Sequence, residues 1–186
     1  MSAERFIISR PDDPRIVPII DDLFNEYRQR YGDYFGQREP DPVTLYLQPD
    51  GIFVVLLHHH RPIATGAFKR YDATTAELKR IWTDKTQRRQ GLARRVLREL
   101  EHHARRLGYC DLFLTTGFRQ PEAVGLYLSE GYQPQFDPSI DPEYYSQPPH
   151  DGRLPFRKPL YPFTPVPDAA SVNVHAAAIT DTGDAS

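Results

Sequence analysis

The residues from Arg88 to Ala93 have the composition of an anion-binding turn. Gly91 lacks a Cβ atom, so a ligand could approach the backbone closely there. A helical pattern starts at Leu92, and the first N–H groups of a helix have no partner within the helix. Those groups and the helix dipole attract phosphate, and Arg88 and Arg89 add positive charge. The residues therefore predict a phosphate site, although a tight turn with two solvated arginines would show the same pattern.

Two elements must position this turn. Before it, the apolar and β-branched residues Leu78, Ile81, Trp82 and Thr83 are typical of a strand. After it, apolar residues recur at helical spacing, and charged residues take the opposite face. Gly108 then stands where the C-terminal glycine of a helix is expected. The apolar positions of this helix are Leu92, Ala93, Val96, Leu97, Leu100, Ala104 and Leu107.

Two motifs in the chain resemble the signature of the GNAT superfamily of N-acetyltransferases, of the bacterial type. The first is R-x-x-G-x-A from Arg88 to Ala93, preceded by the run from Glu77 to Thr83. The second runs from Gln120 to Tyr127 and is followed by Gly131 and Tyr132. Their order and spacing match the superfamily, and the resemblance covers roughly residues 52–135.

The resemblance implies that acetyl-CoA is the acyl donor and that no metal takes part. Backbone groups of Ile81 and Thr83 would pair with the pantetheine and the acyl carbonyl. The N–H groups from Arg88 to Arg94 would surround the pyrophosphate. Ala93 replaces the more usual glycine, and Gln120 replaces an asparagine that often contacts the cofactor. The implied cofactor-binding residues are Ile81, Trp82, Thr83, Arg88, Arg89, Gln90, Gly91, Leu92, Ala93, Arg94 and Gln120.

Acyl transfer to an amine needs a proton donor for the leaving thiolate and a base for the ammonium group. By resemblance, Tyr127 is the acid, although a core tyrosine on an amphipathic helix would show the same pattern. By the same resemblance, Glu77, eleven residues before Arg88, stands where some members of the superfamily carry a base that acts directly or through water. A structural carboxylate paired with Lys79 is the alternative there.

The loop from Gly32 to Pro42 usually covers the acceptor pocket in this superfamily. Its aromatic side chains could equally hold the loop against the core. The candidate substrate contacts are Tyr31, Tyr34 and Phe35.

The composition limits the partners. The formal net charge is −2, and ten of the 23 Lys and Arg residues lie between Lys79 and Arg106. No interleaved aromatic residues accompany them, so the pattern favours a phosphate pocket over nucleic acid. The chain shows neither a signal-peptide core nor an apolar run of membrane-spanning length. It therefore predicts a cytoplasmic protein without membrane contact.

Neither cysteine nor histidine indicates a metal site. Cys110 is the single cysteine, which excludes an internal disulfide, and its apolar surroundings predict a buried thiol. The three histidines from His58 to His60 are adjacent, and adjacent side chains point in different directions. They predict a polar hairpin turn.

The periodicities predict the order β-α-β-β-β-α-β-α-β-β, an α/β domain with a mixed sheet. By resemblance this is the GNAT fold, a mostly antiparallel central sheet flanked by helices. The acetyltransferase domain would span residues 1–162, and residues 163–186 would form a disordered tail. A closing strand from Leu154 to Leu160 contains Pro155 and Pro159, which predicts a position at the sheet edge.

The sequence thus predicts an N-acetyltransferase that moves an acetyl group from acetyl-CoA to a primary amine of a small molecule. Amino acids, antibiotics and other xenobiotic amines are the candidate acceptors. Two alternatives stay open: acetylation of protein or peptide N-termini, and a catalytically silent acyl-CoA-binding module. The sequence admits a homodimer and does not determine the oligomeric state.

Overall fold

The computed structural model describes residues 3–37 and 39–161. The order of its strands and helices is the predicted one. The three α-helices are α1 (Val17–Tyr31), α2 (Leu92–Arg106) and α3 (Pro121–Ser129). The strands are β1 (Glu4–Ile8), β2 (Ile52–His58), β3 (Arg61–Arg70), β4 (Thr75–Thr83), β5 (Asp111–Gly117), β6 (Gln133–Pro134) and β7 (Arg153–Pro159). The predicted disordered tail, residues 163–186, lies outside the described residues.

All seven strands form one sheet in the order β1-β2-β3-β4-β5-β7-β6. Only β4 and β5 are parallel; the other neighbouring strands run antiparallel. This confirms the mixed, mostly antiparallel sheet flanked by helices. None of the helices in the described residues is both long enough and apolar enough to cross a membrane.

The histidine triplet lies at the β2–β3 hairpin, as predicted. His59 and His60 have φ angles of 47° and 68°, so both turn residues are left-handed. Such turns match the twist of the strands they join. In residues 3–37 and 39–161, no group of three or more His, Cys, Asp or Glu side chains could hold a metal ion.

Side chains alternate between two cores on the two faces of the sheet. On β2, Val54 and Leu56 pack with α2 residues such as Val96, whereas Phe53 and Val55 lie in the core beneath α1. The helix α2 lies directly on β3, since a Cβ added at Gly66 would come 2.4 Å from Cγ1 of Val96. The helices α1 and α2 therefore lie on opposite faces of the sheet.

The prediction that the Leu154–Leu160 strand lies at the sheet edge is wrong. The strand β7 lies between β5 and β6, and it pairs with β5 along its whole length. The carbonyl of Pro155 accepts a hydrogen bond from the N–H of Gln135, on the side away from β5. Because N and C=O of one strand residue face the same side, the missing N–H of Pro155 also faces away from β5. The two-residue β6 leaves room for this proline.

The prediction of a buried Cys110 thiol is also wrong, because the side chain is exposed. Cys110 precedes β5, and its N–H donates to the carbonyl of Thr74 at 2.8 Å. The apolar run around Cys110 suggested burial. Within β5, however, side chains alternate regularly between the two faces, and the first of them to lie in the core is Leu112.

A buried polar group joins α2 to the end of the sheet. Glu101 is 5% exposed, and its carboxylate accepts from Tyr132 at 3.0 Å and from Lys158 at 2.8 Å. The ammonium of Lys158 also donates to the carbonyl of Glu130 at 2.7 Å. The carboxylate of Glu101 thus balances the charge of Lys158 where little water reaches.

We expect Glu101→Leu to lower the free energy of unfolding by roughly 3 kcal/mol, because it removes one partner of a buried ion pair. Urea denaturation followed by fluorescence of Trp82 measures the change. The double variant Glu101→Leu/Lys158→Met removes both charges and should recover much of the loss. A double variant no more stable than Glu101→Leu would contradict this account.

Candidate active site

The strands β4 and β5 are paired only where they begin. Thr75, Ala76 and Glu77 pair with Asp111 to Phe113, although β4 continues to Thr83 and β5 to Gly117. Past Glu77, the β5-facing edge of β4 therefore has no strand partner within the described residues. An extended ligand could add to such an edge through main-chain hydrogen bonds.

The part of β4 that no longer pairs with β5 still pairs with β3 and contains a bulge. The register with β3 shifts between Thr65 and Ala67, and Arg80 has a φ of 59°. The hydroxyl of Thr65 donates to the carbonyl of Arg80 at 2.9 Å and holds the bulge. A bulge redirects backbone and side chains next to it, here at the point where β4 leaves β5.

The chain passes from β4 through a short 3₁₀ turn, Lys85–Gln87, to the start of α2. Asp84 holds the turn, since its carboxylate accepts from the N–H of Thr86 at 2.9 Å. Gly91 is the N-cap of α2 with a φ of 74°, and no side chain caps the helix. A Cβ added at Gly91 would meet no atom within 4 Å, so the space before the helix is open. An uncapped helix N-terminus facing open space suits an anion.

The basic residues around this helix start differ in their partners. Arg88 pairs with Glu26 of α1 at 2.7 Å, and Lys85 lies 3.6 Å from the same carboxylate. Arg94 pairs with Glu130 at 2.6 Å. Arg89 has no ion-pair partner among the described residues, and its φ of 64° is left-handed. Arg89 could therefore bind an anionic ligand without first breaking an ion pair within the protein.

Tyr127 lies on α3 within the core beneath α2, packed against the rings of Tyr132 and Phe156 at 5.8 and 5.5 Å. Its hydroxyl forms no hydrogen bond with any described residue. Burial raises the pKa of Tyr127 above its usual range, and the nearby phenol of Tyr27 adds to the shift. Tyr27 belongs to α1, on the other face of the sheet.

A cavity of about 440 Å³ lies on the α1 side of the sheet, where β4 and β5 part. Glu77 and Lys79 line it from β4, and Phe113 and Thr115 line it from β5. The carboxylate of Glu77 lies 3.3 Å from the ammonium of Lys79. Glu77, the last residue of β4 that pairs with β5, therefore lies on the α1 face of the sheet, whereas Tyr127 lies in the core on the α2 face.

The three aromatic residues proposed as substrate contacts cluster at the end of α1, where the rings of Tyr31 and Tyr34 lie 5.0 and 4.8 Å from that of Phe35. Tyr31 is buried, and its hydroxyl accepts from the N–H of Arg119 at 3.1 Å. Tyr34 donates to the carbonyl of Ser146 at 2.7 Å. The ring of Phe35 lies 5.1 Å beneath the guanidinium of Arg153, which lines the cavity. Tyr31 and Tyr34 hold the loop in place, and Phe35 faces a cavity residue.

The side chains of two further predicted cofactor-binding residues form hydrogen bonds within the protein. The indole N–H of Trp82 donates to Asp22 of α1 at 3.2 Å. The side-chain oxygen of Gln120 accepts from the Thr116 hydroxyl and the Gly117 N–H, both at 2.9 Å. Only the amide nitrogen of the Gln120 side chain stays available to a ligand.

Sequence reasoning missed Asp151 and Arg153 of the cavity lining. They enter the site because β7 pairs with β5 over a long sequence separation, which no local pattern reports. The alternation of β5 could have placed Phe113 and Thr115 on the same face. The alternative to a catalytic base was a structural carboxylate paired with Lys79, and this ion pair is present in the structure.

Comparisons with known proteins agree with this geometry. Residues 20–132 match the model of the acetyltransferase (GNAT) family. A provisionally assigned acyl-CoA N-acyltransferase of Klebsiella pneumoniae has a similar structure, with a TM-score of 0.64, 23% identity and coverage of 87% of this chain and 100% of that one. An acetyltransferase of Streptococcus agalactiae has a TM-score of 0.63 at 19% identity, over 86% and 100% of the two chains.

A third solved structure, a GNAT family acetyltransferase of Elizabethkingia anophelis, has acetyl-CoA bound. Its TM-score is 0.56 at 13% identity, over 86% of this chain and 100% of that one. No curated protein sequence matches the chain. Likenesses at such identities show the fold, whereas the family match covers more than half of the 186 residues. The chain belongs to the GNAT acetyltransferase family.

Proposed function

We propose that the protein is an N-acetyltransferase that moves an acetyl group from acetyl-CoA to a primary amine of a small molecule. The observation that carries the proposal is the separation of β4 from β5 beyond Glu77. Glu77 lies on one face of the sheet beside this gap and Tyr127 lies in the core on the other face, and the uncapped start of α2 follows β4 after one short turn. The gap can hold an acyl donor between an acid and a base.

The residues present fit acetyl-CoA. The pyrophosphate would take the N–H groups at the start of α2, where Gly91 leaves open space and Arg89 adds a free cation. The pantetheine arm would lie along the unpaired edge of β4 and bond to backbone groups of Ile81 and Thr83. The structurally similar acetyltransferase of Elizabethkingia anophelis has acetyl-CoA bound. Bound acetyl-CoA supplies an activated acyl group.

Tyr127 has the properties of the acid. A tyrosine phenol is protonated at neutral pH, burial holds the pKa of Tyr127 above its usual range, and the hydroxyl donates to no described residue, so its proton is available. It would donate that proton to the leaving thiolate of coenzyme A. An N–H of the β4 bulge region, at Ile81, would donate to the acyl oxygen as negative charge develops there.

Glu77 would act as the base. Its carboxylate lines the cavity, and its side chain is 13% exposed, so an amine entering from the α1 side would meet it in a place with little water. It would remove a proton from the ammonium group directly or through one water molecule. The amine could then attack the acyl carbon from the cavity side.

Glu77→Gln should lower kcat at pH 7 by roughly 10²-fold, the lower end for a positioned base. The loss should shrink as pH rises, because the acceptor amine then enters already deprotonated. Initial rates of coenzyme A release between pH 6 and 10 measure this. Glu99→Gln, which alters a carboxylate paired with His103 on the outside of α2, is the control and should leave the profile unchanged. A pH-independent loss would assign Glu77 a structural role.

Small-molecule turnover also separates this function from a silent binding module, which would bind acetyl-CoA without releasing coenzyme A. The cytoplasmic location and the homodimer stay predictions of the sequence.

A further inference from the structure

The cavity between β4, β5 and β7 is lined by charges of both signs. Glu77 and Asp151 are acidic, and Lys79 and Arg153 are basic. Phe113 and Pro155 add apolar surface to the lining. An acceptor with a single ammonium group would use only the acidic half of this lining.

Glu77 and Lys79 of the lining, together with the charged side chains beside them, carry an excess of positive charge. Lys79 has Glu77 at 3.3 Å, and the neighbouring carboxylate of Asp41 serves both Lys69, at 3.3 Å, and Arg80, at 3.8 Å. All five side chains are less than a third exposed. Three cations thus share two carboxylates, and burial together with Lys69 lowers the pKa of Lys79. An anionic group in the cavity would relieve this excess.

The outer part of the lining offers a cation that can change its partner. Arg153 pairs with Asp151 at 2.9 Å, but the side chain of Asp151 is 65% exposed. An ion pair so open to water contributes little to stability. The guanidinium of Arg153 is nevertheless held in orientation over the ring of Phe35, at 5.1 Å. A planar guanidinium binds a carboxylate through two parallel hydrogen bonds, so a ligand could replace Asp151 at small cost.

We propose that the acceptor amine also carries a carboxylate, and that Arg153 binds this carboxylate while Lys79 adds positive charge beside it. The inference rests on the proposed function and names the substrate class for the same site. A cavity of about 440 Å³ admits a molecule of the size of one amino acid. Glu77 would then face the ammonium end and Arg153 the carboxylate end, which makes Arg153 a residue that determines specificity.

The test compares the twenty L-α-amino acids with their carboxamides, and a series of ω-amino acids with the matching alkylamines. Each pair differs chiefly in the negative charge. We expect kcat/KM for the best acid to exceed that for its uncharged partner by roughly 10- to 100-fold, the value of one charge-assisted interaction. In Arg153→Gln this preference should fall to within about threefold, mainly through a higher KM for the acid.

Arg10→Gln is the matched control, because Arg10 also pairs with a carboxylate two residues away on an exposed surface. It should leave the preference intact. Faster turnover of the carboxamides, alkylamines or peptides, or an unchanged preference in Arg153→Gln, would overturn this inference and leave the proposed function standing. If calorimetry shows acetyl-CoA binding but no amine of any set releases coenzyme A, the proposed function fails and this inference fails with it.

Discussion

Gly91→Glu should weaken acetyl-CoA binding by at least roughly 100-fold while leaving the protein folded. The new carboxylate would lie at the uncapped start of α2, where we place the pyrophosphate, and Gly91 now leaves that space open. Like charges would repel there, and a loss of two charge-assisted hydrogen bonds at about 1.5–3 kcal/mol each accounts for the change. Isothermal titration with acetyl-CoA measures the Kd.

Gly108→Glu supplies a closely matched control. Gly108 follows the other end of α2, has a φ of 90°, and also has open space where a Cβ would lie. A left-handed glutamate costs about 1–2 kcal/mol at either position, and Gly108→Glu should be the less stable variant because its charge lies at the negative end of the α2 dipole. Only Gly91→Glu should lose affinity. Equal affinities in the two variants would remove the start of α2 as the phosphate site.

Tyr127→Phe should lower kcat by roughly 10²- to 10⁴-fold and leave the Kd for acetyl-CoA nearly unchanged. The substitution removes only the hydroxyl that we assign as the acid, and a positioned acid contributes this much. Its ring contacts with Tyr132 and Phe156 remain. Because the hydroxyl forms no hydrogen bond with a described residue, the melting temperature should change little. Single-turnover acetylation and a melting curve measure the two effects.

Tyr132→Phe should show the reverse pattern. Tyr132 lies in the same core, but its hydroxyl donates to the buried carboxylate of Glu101 at 3.0 Å. Its loss should cost roughly 1–3 kcal/mol of stability and leave kcat within about threefold of the original. Turnover of Tyr127→Phe as fast as that of Tyr132→Phe would remove Tyr127 as the acid.

Local patterns in the sequence predicted the elements that form the frame of the site. The amphipathic spacing of α2, the apolar run of β2 and the glycine at residue 91 each depend on interactions between near neighbours. Two motifs, R-x-x-G-x-A and the segment ending at Tyr127, lie on the elements expected for them. The order of the elements along the chain and the mixed sheet followed from those patterns.

The cavity could not be predicted in the same way. Its lining combines β4 and β5 with Arg153 from the far end of the chain, and only the long-range pairing of β7 brings that residue to the site. The prolines of β7 suggested an edge strand, because the sequence does not show which side of Pro155 faces a partner. The burial of Cys110 was wrongly predicted because β5 starts one residue later, at Asp111, so that Cys110 belongs to the preceding loop.

The central claim is that the gap between β4 and β5 holds the acyl donor. A crystal structure of the protein with coenzyme A tests it most directly. We expect the pyrophosphate on the N–H groups that follow Gly91, the pantetheine along β4 at Ile81 and Thr83, and the sulfur within hydrogen-bond reach of the Tyr127 hydroxyl. Coenzyme A bound elsewhere, or bound with its sulfur turned away from Tyr127, would contradict the account.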